Sequence, residues 1–505
     1  MEYPYYLPQE PKEPLDEKLM LFFSIPDFGI SPLAFWKFVK EKGYKTAWIV
    51  QKREIFEKMR DMGIECVLLE DTEKVRHYFS TAKYFLFNRD IPYGYPKLKG
   101  QIYVHLFSTV TLSGEGFAGS SGIFDPQKFE STLIGYIMYY KWLVTMTDIS
   151  IVTSELCRRV YASGYYANAL KVFATGSPHH DTMLLNDGKS ILSNNMPQIK
   201  KYASLIGYFP THSAGRERLG LKCFEENIFN IKGLDICALE TFLEENNIAV
   251  IMKLHPVDER NFLENRIKIP NHCYLINSNS FFNYSHLDIL NAFDILISDR
   301  STISNDFLLL DRPLIYFPEI ADFTWERLRA GYQNPYLIER DIYFPGHEVY
   351  TPDDFFSAII ESLANPGKYS AKRKILRDLM FKYQDPDSCK RVLDVIENCS
   401  LLEQPIEYEM FTAPLTKRYE AQIVKHDQTI AECGQAIAER DNELDNIKNS
   451  RAYKLVLIPS KIFYPEGSRR RVLYILMKKT IRHPVMMLKK LKPGNIKALV
   501  SELRR

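Results

Sequence analysis

The sequence predicts an α/β protein with two lobes, each built around a doubly wound sheet. Two observations predict this fold. Short apolar runs with strand character alternate with helical patterns, and this alternation occurs in two series separated by a polar segment at 187–198. A length of 505 residues and a hydrophobic content of 46% are sufficient for large buried cores, which excludes an intrinsically disordered chain.

The first series predicts an N-terminal lobe over residues 1–185. Its strands are separated by helical patterns such as Pro32–Lys42. The string GSPHHD at 176–181 follows the last strand and leads into 187–198, which we interpret as an interdomain linker. Strands are predicted at Lys18–Ser24, Thr46–Val50, Cys66–Leu69, Tyr84–Asn88, Gln101–Leu106, Ile149–Thr153 and Lys171–Thr175.

The second series predicts a C-terminal lobe over residues 195–400. Its strands begin near positions 203, 248, 273, 294 and 313, and the lobe ends in a helical stretch at Ser370–Asn398. Two similar lobes around a linker leave a cleft between them. Such clefts commonly bind the substrates of group transfer.

The run DILISDRSTISNDFLLL, Asp294–Leu310, predicts an anion site at a strand-to-helix turn. An apolar strand ends at Asp299, and an apolar helix follows the hydroxyl residues Ser301 and Thr302. Free backbone N–H groups and the positive end of the helix dipole favour an anion at such a turn. The alternative is that these side chains only cap the helix, which Ser, Thr and Asp commonly do.

Two further strand ends are expected at the same edge of the sheet. The strand in IAVIMKLHP delivers Lys253 and His255 to its end, and the strand at Ala203–Phe209 is followed by Pro210 and Thr211. Three such turns can converge on one crevice, the usual ligand position in open α/β sheets. The alternative for His255 is a structural role in the turn at Pro256.

The order of these strings resembles the CDP-glycerol glycerophosphotransferase family, the teichoic-acid-type polymerases of bacterial surface polymers. GSPHHD, YFPT, IMKLHP, DILISDRSTISNDFLLLDRPLIYF and YFPGHEV occur in the order found in that family. The resemblance covers roughly residues 18–395. It implies a glycosyltransferase-B-like architecture, with an acceptor lobe at the N-terminus and a CDP-donor lobe at the C-terminus.

The resemblance also implies which residues bind and react. It puts the donor pyrophosphate near Lys253 and His255, with His255 as a catalytic residue that donates to a phosphate oxygen or protonates the leaving group. The implied donor-binding residues are Thr211, Lys253, Asp299, Arg300, Ser301 and Thr302. Arg300 stands where the family usually has Tyr, so it either adds a phosphate ligand or selects a different donor.

In the first lobe, the family carries a histidine proposed as the base for the acceptor hydroxyl. The candidate here is His105 in IYVHLFSTVTLSGEG, where the family's Trp-His-Gly string is absent. The alternatives are a catalytic base and a structural histidine in the core between Val104 and Leu106.

The composition limits which cofactors and partners can be expected. The eight cysteines form no C-x-x-C motif, and no Asp-x-Asp string stands out at a strand end, so we expect no metal, no cofactor and reduced thiols in a cytoplasmic protein. The apolar run at Leu19–Ile25 is short, and no stretch is long enough to span a membrane. Any membrane contact is therefore expected to be peripheral, at the inner face of the cell membrane.

The end of the chain changes character. Isoleucine and leucine recur every seven residues within 405–450, which predicts a coiled coil that would allow a homo-oligomer, or a helix packed on the body. Residues 451–505 form a basic amphipathic tail. Its part at 469–505 carries twelve Lys or Arg and one acid, a charge of +11, which leaves −9 for the rest of a chain of net charge +2. Such a tail suits an anionic membrane surface, and the acidic lobes argue against nucleic acid.

These observations predict a transferase that moves a polyol phosphate from a CDP donor to a lipid-linked or polymeric acceptor, such as teichoic acid or capsule. One alternative is a glycosyltransferase-B enzyme that transfers a sugar from a nucleotide sugar. The other is an inactive scaffold of a polymer-assembly complex. The polyol-phosphate transferase would form a phosphodiester and release CMP, whereas the sugar transferase would form a glycosidic bond.

Overall fold

Two parallel sheets form the framework of the chain in the computed structural model. The structure describes residues 8–398, except 93, 108–141, 166, 211–226, 230, 255–257, 260–268, 277–282, 300 and 318–339, together with scattered positions between 428 and 446. The chain divides into two compact units, Met1–Leu401 and Leu402–Arg505, and both sheets belong to the first. The predicted two-lobed α/β fold is therefore confirmed. The basic tail lies outside the described residues, as does most of the coiled-coil segment.

The first sheet has seven strands in the order β3-β2-β1-β4-β5-β6-β7, and its neighbouring strands pair in parallel. The order reverses between β1 and β4, so a crevice is expected at their carboxyl ends. The strands are β1 Asp16–Phe23, β2 Lys45–Val50, β3 Cys66–Leu68, β4 Ala82–Phe87, β5 Ile102–Leu106, β6 Ile149–Val152 and β7 Val172–Ala174. Each overlaps a predicted strand.

Helices connect the strands of the first lobe. The predicted helix at Pro32–Lys42 occurs as α1, followed by a 3₁₀ turn at Lys40–Lys42. Gly43 ends this turn in the left-handed conformation, with φ of 80°, which glycine adopts without steric cost. The helices are α1 Ile30–Val39, α2 Arg53–Asp61, α3 Thr72–Thr81, α4 Glu155–Tyr165 and α5 Pro178–Leu185.

The polar segment 187–198, predicted as an interdomain linker, contains a helix and lies between the two sheets. Helix α6, Gly188–Asn195, begins after Asp187, whose carboxylate accepts a hydrogen bond from the Ser190 N–H. Leu192 of this helix is buried. The capping carboxylate, the buried Leu192 and a hydrogen bond from the Gly188 N–H to Asn291 Oδ1 hold this short polar helix on the body. A 3₁₀ helix at Pro197–Lys201 then leads into the second sheet.

The second sheet has six strands in the order β10-β9-β8-β11-β12-β13, again parallel. Its order reverses between β8 and β11. The strands are β8 Ser204–Tyr208, β9 Ile248–Met252, β10 Cys273–Leu275, β11 Ile295–Ser298, β12 Leu314–Tyr316 and β13 His347–Glu348. A Cβ on Gly346 would lie 2.2 Å from the Leu314 carbonyl oxygen. No side chain fits at this position, so β13 can pair with β12 because the residue before it is glycine.

The helices of the second lobe follow the same pattern. The predicted helical stretch Ser370–Asn398 occurs as two helices. A 3₁₀ segment at His286–Ala292 precedes β11, and another at Leu308–Leu310 follows α8. The helices are α7 Ile236–Glu245, α8 Ile303–Phe307, α9 Arg340–Tyr343, α10 Pro352–Ala364, α11 Ser370–Met380 and α12 Ser388–Asn398.

Helix α12 packs on the first sheet, although its sequence falls in the range predicted for the second lobe. Cys389, Val392 and Ile396 belong to the same buried cluster as Phe22 and Trp48. Asp181, on α5, accepts hydrogen bonds from the N–H groups of Ser388 and Cys389 at 2.9 and 2.7 Å. The chain thus returns to the first lobe after completing the second. Among the described helices, none is long and apolar enough to cross a lipid bilayer.

Candidate functional site at the carboxyl edge of the second sheet

Polar side chains follow the two strands that flank β8. Lys253 comes directly after β9, and Asp299 comes directly after β11. The Lys253 N–H donates to the Tyr208 carbonyl at 3.0 Å, so its backbone still pairs with β8 while its side chain begins at the sheet edge. This is the point where the strand order reverses, and open α/β sheets bind ligands there.

Asp299 organises the turn after β11. Its Oδ1 accepts a hydrogen bond from the Ser301 N–H at 3.1 Å, and Ser304 Oγ donates to the Ser301 carbonyl at 2.8 Å. Asp299 is buried, whereas Ser301 and Thr302 are half-buried. Thr302 occupies the position before α8, yet its side chain makes no capping hydrogen bond. The geometry therefore does not support the alternative in which the Thr302 hydroxyl serves as a cap.

Lys253 brings positive charge to this edge. It is half-buried, and burial lowers the pKa of its ammonium group, while the carboxylate of Glu259 acts in the opposite direction. Burial, followed by the charge of Lys253, lowers the pKa of the nearby His286 to about 3, so this imidazole is neutral at physiological pH. The ammonium group and the hydroxyl groups of the turn after β11 lie at one edge of the sheet, on either side of β8, and groups of these kinds bind and neutralise phosphate.

Three predicted site residues lie outside the described residues. They are Thr211 after β8, His255 after β9 and Arg300 in the turn after β11. Lys253, Asp299, Ser301 and Thr302 are described, and they lie at one edge of the second sheet. Their roles in binding a donor stay predictions.

His105 lies at the end of β5 in the first lobe and is buried. Its Nδ1 lies 2.8 Å from the Tyr161 hydroxyl, and its Nε2 lies 3.1 Å from the Asn88 carbonyl oxygen. The ring also stacks on Phe87, with the centroids 4.9 Å apart. Burial lowers the pKa of His105 to about 4. With both ring nitrogens hydrogen-bonded inside the lobe, this geometry favours the structural alternative.

The first lobe also meets the second through Lys37 of α1. Its Nζ donates to the Asn283 carbonyl at 2.6 Å and lies 4.8 Å from the centre of the Tyr284 ring. Burial lowers the pKa of this ammonium group. Lys37 therefore anchors α1 to the segment that precedes the 3₁₀ helix at His286–Ala292.

A buried polar cluster between the lobes was not predicted from the sequence. His179 and His180, on α5, approach Asp306 on α8, with Nε2 to Oδ1 distances of 3.3 and 2.8 Å. Burial lowers the pKa of His180 to about 4. Burial alone would raise the pKa of Asp306, but hydrogen bonds from both histidines lower it overall. Among the described residues, these three form the group that could hold a metal ion.

The signal for this cluster was present in the string GSPHHD. Two adjacent histidines after a strand and a proline are unusual, but the carboxylate they approach is more than 120 residues away. Without the arrangement of the lobes, the sequence gives no reason to pair them with Asp306.

Comparison with known protein families gives one match that covers most of the chain. The profile of the CDP-glycerol:poly(glycerophosphate) glycerophosphotransferase family matches residues 7–398. Among curated proteins, the teichoic acid ribitol-phosphate polymerase TarL of Staphylococcus aureus is 26% identical over 253 residues, which are 48% of this chain and 40% of TarL. The teichoic acid glycerol-phosphate primase of Bacillus subtilis is 26% identical over 252 residues, covering 50% of this chain and 58% of the primase. The chain thus spans about half the length of these two relatives.

Solved structures agree on the fold. The wall teichoic acid polymerase TagF, in a crystal soaked with the ligand abbreviated CDPG, superposes with a TM-score of 0.60. The match covers 76% of this chain and 89% of that one, at 16% sequence identity. At this identity the likeness establishes a shared fold, the two-lobed arrangement expected from the sequence.

Proposed function

This chain belongs to the CDP-glycerol:poly(glycerophosphate) glycerophosphotransferase family, and on that premise we propose that it transfers a polyol phosphate from a CDP-activated donor to a cell-surface polymer. Glycerol phosphate is the unit named in the family description, and teichoic acid is the polymer named for the curated relatives. The donor binds at the carboxyl edge of the second sheet, and the acceptor approaches from the first lobe.

One observation carries this assignment. Lys253 and the turn at 299–302 follow the two strands that flank β8, where the strand order of the second sheet reverses. A diphosphate needs a cation and hydrogen-bond donors, and this edge offers an ammonium group and two half-buried hydroxyl residues. Asp299 keeps the turn in shape through the Ser301 N–H.

The reaction then follows from charge and position. An acceptor hydroxyl attacks the phosphorus atom that carries the polyol. A new P–O bond forms, the P–O bond to CMP breaks, and CMP leaves with the electron pair. Lys253 and the hydroxyls of Ser301 and Thr302 stabilise the charge that develops on the phosphate oxygens. The proton of the attacking hydroxyl must pass to a base.

We assign His255 a role at the leaving phosphate, as a hydrogen-bond donor or as the acid that protonates CMP. This rests on the family resemblance and on its place two residues after Lys253, since His255 lies outside the described residues. We assign His105 the structural role that its two hydrogen bonds support, rather than that of the base.

The proposal includes a peripheral attachment to the inner face of the cell membrane through the basic tail. Residues 469–505 carry a net charge of +11 interleaved with apolar side chains. Each cation near an anionic surface contributes on the order of 1 kcal/mol, which suits a lipid-linked acceptor. Deletion of 469–505 should release the protein from vesicles containing anionic lipid but leave CDP-donor binding intact. Unchanged vesicle binding after the deletion would contradict the attachment.

Ligand-induced thermal stabilisation tests the proposed function. The full chain is heated with CDP-glycerol, CDP-ribitol, CDP, CMP, UDP and UDP-sugars, and wild type is compared with Ser301→Ala. A ligand that binds the native state raises the melting temperature by mass action, even without acceptor. We expect selective stabilisation by a CDP-polyol that is weaker in the variant. Selective stabilisation by a UDP-sugar would indicate a sugar transferase, and no response to any nucleotide would indicate a scaffold.

A further inference from the structure

Three ligand atoms of the kind that bind transition metals converge between the two lobes. His179 and His180 open α5, directly after the first sheet, and Asp306 lies on α8 of the second lobe. Their nitrogen and oxygen atoms all lie within 4.8 Å of one another. The three side chains are buried, with exposures of 0%, 3% and 4%. Water therefore cannot solvate the Asp306 carboxylate.

Hydroxyl groups beside His179 can accept a hydrogen bond from its Nδ1. Its Nδ1 lies 2.7 Å from Ser31 Oγ, Ser31 Oγ lies 3.1 Å from Ser177 Oγ, and Ser177 Oγ lies 3.4 Å from the Phe107 carbonyl oxygen. The carbonyl can only accept. Ser177 Oγ also lies 3.0 Å from the same Nδ1, so this nitrogen contacts two hydroxyl groups. In one assignment Nδ1–H donates to Ser31, Ser31 donates to Ser177, and Ser177 donates to Phe107.

With the proton on Nδ1, the Nε2 of a neutral His179 presents a lone pair. That lone pair faces the Asp306 carboxylate at 3.3 Å, so two acceptors meet in a buried space. In this tautomer the contact is repulsive unless a positive centre lies between the two atoms, whereas in the other tautomer Nε2–H donates to Asp306. His180 Nε2 reaches the same oxygen of Asp306, at 2.8 Å.

We propose that His179 Nε2, His180 Nε2 and Asp306 Oδ1 bind a divalent transition-metal ion of the Zn²⁺ class. Two imidazoles and a carboxylate are a set of ligands that zinc commonly takes. A metal-bound histidine usually donates its other N–H to a neighbouring acceptor, which fixes the ring. The Ser31 and Ser177 hydroxyls supply that acceptor for His179.

The distances suit this ion with small adjustments. Two ligand atoms each about 2.0–2.1 Å from a tetrahedral zinc lie about 3.3 Å from one another. The contact between His179 and Asp306 already has this length, and the contact between His180 and Asp306 would open by roughly half an ångström. The ion would tie the first lobe to the second, because its ligands come from both. The site departs from the sequence-based expectation of no metal, and it does not depend on the proposed transferase activity.

The competing explanation is that a proton, rather than a metal ion, lies between His179 Nε2 and the Asp306 carboxylate. A His179 protonated on Nε2 would donate to Asp306 without any metal. Its Nδ1 would then accept from the Ser31 hydroxyl in a neutral ring, or donate to it in a charged ring. The two explanations differ in metal content, so direct measurement of bound metal separates them.

The experiment uses the full chain, purified without chelator or a metal-affinity tag, stripped of metal and then titrated with Co²⁺ and with Zn²⁺. Metal content, the visible absorption of Co²⁺ and the melting temperature are followed. Asp306→Asn and His180→Gln each replace one ligand with an amide. Asp181→Asn is the matched control, since Asp181 is buried on the same helix but binds the backbone of α12.

We expect wild type and Asp181→Asn to bind one ion per chain, with a rise in melting temperature that excess chelator reverses. Asp306→Asn and His180→Gln should bind it at least about 100-fold more weakly. X-ray absorption of the zinc-loaded wild type needs no variant, and it should show two imidazole ligands. Failure of wild type to bind Co²⁺ or Zn²⁺, a zinc shell with fewer than two imidazoles, or equal binding by the ligand variants and the control would overturn the proposal.

Discussion

The two sheets of this chain share one design, yet their carboxyl edges carry different chemistry. Both are parallel, and both reverse their strand order after the first three strands of the lobe. At the edge of the first sheet, His105 is buried and bonded on both ring nitrogens to groups of its own lobe. At the edge of the second sheet, Lys253 and the hydroxyl residues Ser301 and Thr302 are only half-buried.

The polar groups at the first edge hydrogen-bond to one another, whereas the arrangement at the second edge suits the binding of a ligand. Asn88 illustrates the first edge, because its side chain bonds both the N–H and the carbonyl of Ile25 across the crevice. Polar groups that already bond one another inside a lobe are costly to redirect to a substrate. A half-buried cation and a hydroxyl turn at the same edge of a sheet can bind an anion without breaking such bonds.

The largest effect is expected from removing the cation of the second edge. Lys253→Met keeps the length of the side chain but removes its charge. We expect kcat/KM for transfer from a CDP-polyol to fall by about 100-fold or more, because one preorganised charge at a developing anion is worth that much. Lys201→Met is the control, since Lys201 precedes β8 and therefore lies at the opposite edge of the same parallel sheet. Equal activity of the two variants would remove Lys253 from the donor site.

At the first edge, the corresponding change should affect stability rather than turnover. His105→Phe retains a ring against Phe87 but leaves the Asn88 carbonyl and the Tyr161 hydroxyl without the imidazole. Loss of these buried hydrogen bonds should lower the free energy of unfolding by about 2 kcal/mol. Activity per folded molecule should stay within a few-fold of wild type. Denaturant titration and initial rates on the same samples measure both.

Tyr161→Phe serves as the partner variant, because it removes the hydroxyl from the same contact and should cost less stability. A His105→Phe protein that keeps its stability but loses transfer activity would make His105 the catalytic base and reverse the comparison.

The pH dependence of the free energy of unfolding tests the structural role of His105 at the first edge. Burial lowers the pKa of His105 from an ordinary value of 6.5 to about 4 in the folded chain. Between these values the unfolded chain binds more protons, so His105 contributes stability above pH 6.5 that is lost as the pH falls toward 4. Wild type should therefore lose about 2 kcal/mol more than His105→Phe between about pH 7 and pH 5. Parallel pH profiles for the two proteins would refute a buried neutral histidine.

The smallest effect is expected from a single hydroxyl of the second edge. Thr302→Ala removes a side chain that does not cap its helix. Donor affinity should weaken by about fivefold, the loss of one modest hydrogen bond, with little change in melting temperature. Ser190→Ala, on the exposed side of α6, should leave donor affinity unchanged while removing a bond to Asp187. Calorimetric titration with the CDP-polyol distinguishes the two.

Much of the fold was predictable because strands and turns are local patterns. The predicted strands Thr46–Val50 and Ile149–Thr153 occur as Lys45–Val50 and Ile149–Val152. Apolar runs of this length that end at polar residues define buried parallel strands without knowledge of their neighbours. The helix within the predicted linker 187–198 could not be read from its polar composition, because it depends on a capping carboxylate and a leucine that is buried only in the folded chain.

The site was only partly predictable, for a related reason. Lys253 and Ser301 could be assigned to one edge because both follow strands of one sheet, and parallel strands end at the same edge. The pairing of His180 with Asp306 depends on how the lobes come together, and no local pattern encodes that. The surroundings of His105 are similar, because its hydrogen bonds to Tyr161 and Asn88 come from two other segments of the lobe.

Phosphorus NMR of the reaction products tests the central claim most directly. Wild type and Lys253→Met are incubated with a CDP-polyol and a lipid-linked polyol-phosphate acceptor, and the phosphorus resonances are followed over time. We predict that wild type converts the diphosphate signals into equal amounts of CMP and a new phosphodiester, while the variant leaves the diphosphate intact. A donor that stays unchanged with wild type, or equal conversion by the variant, would contradict the assignment of the second edge as the donor site.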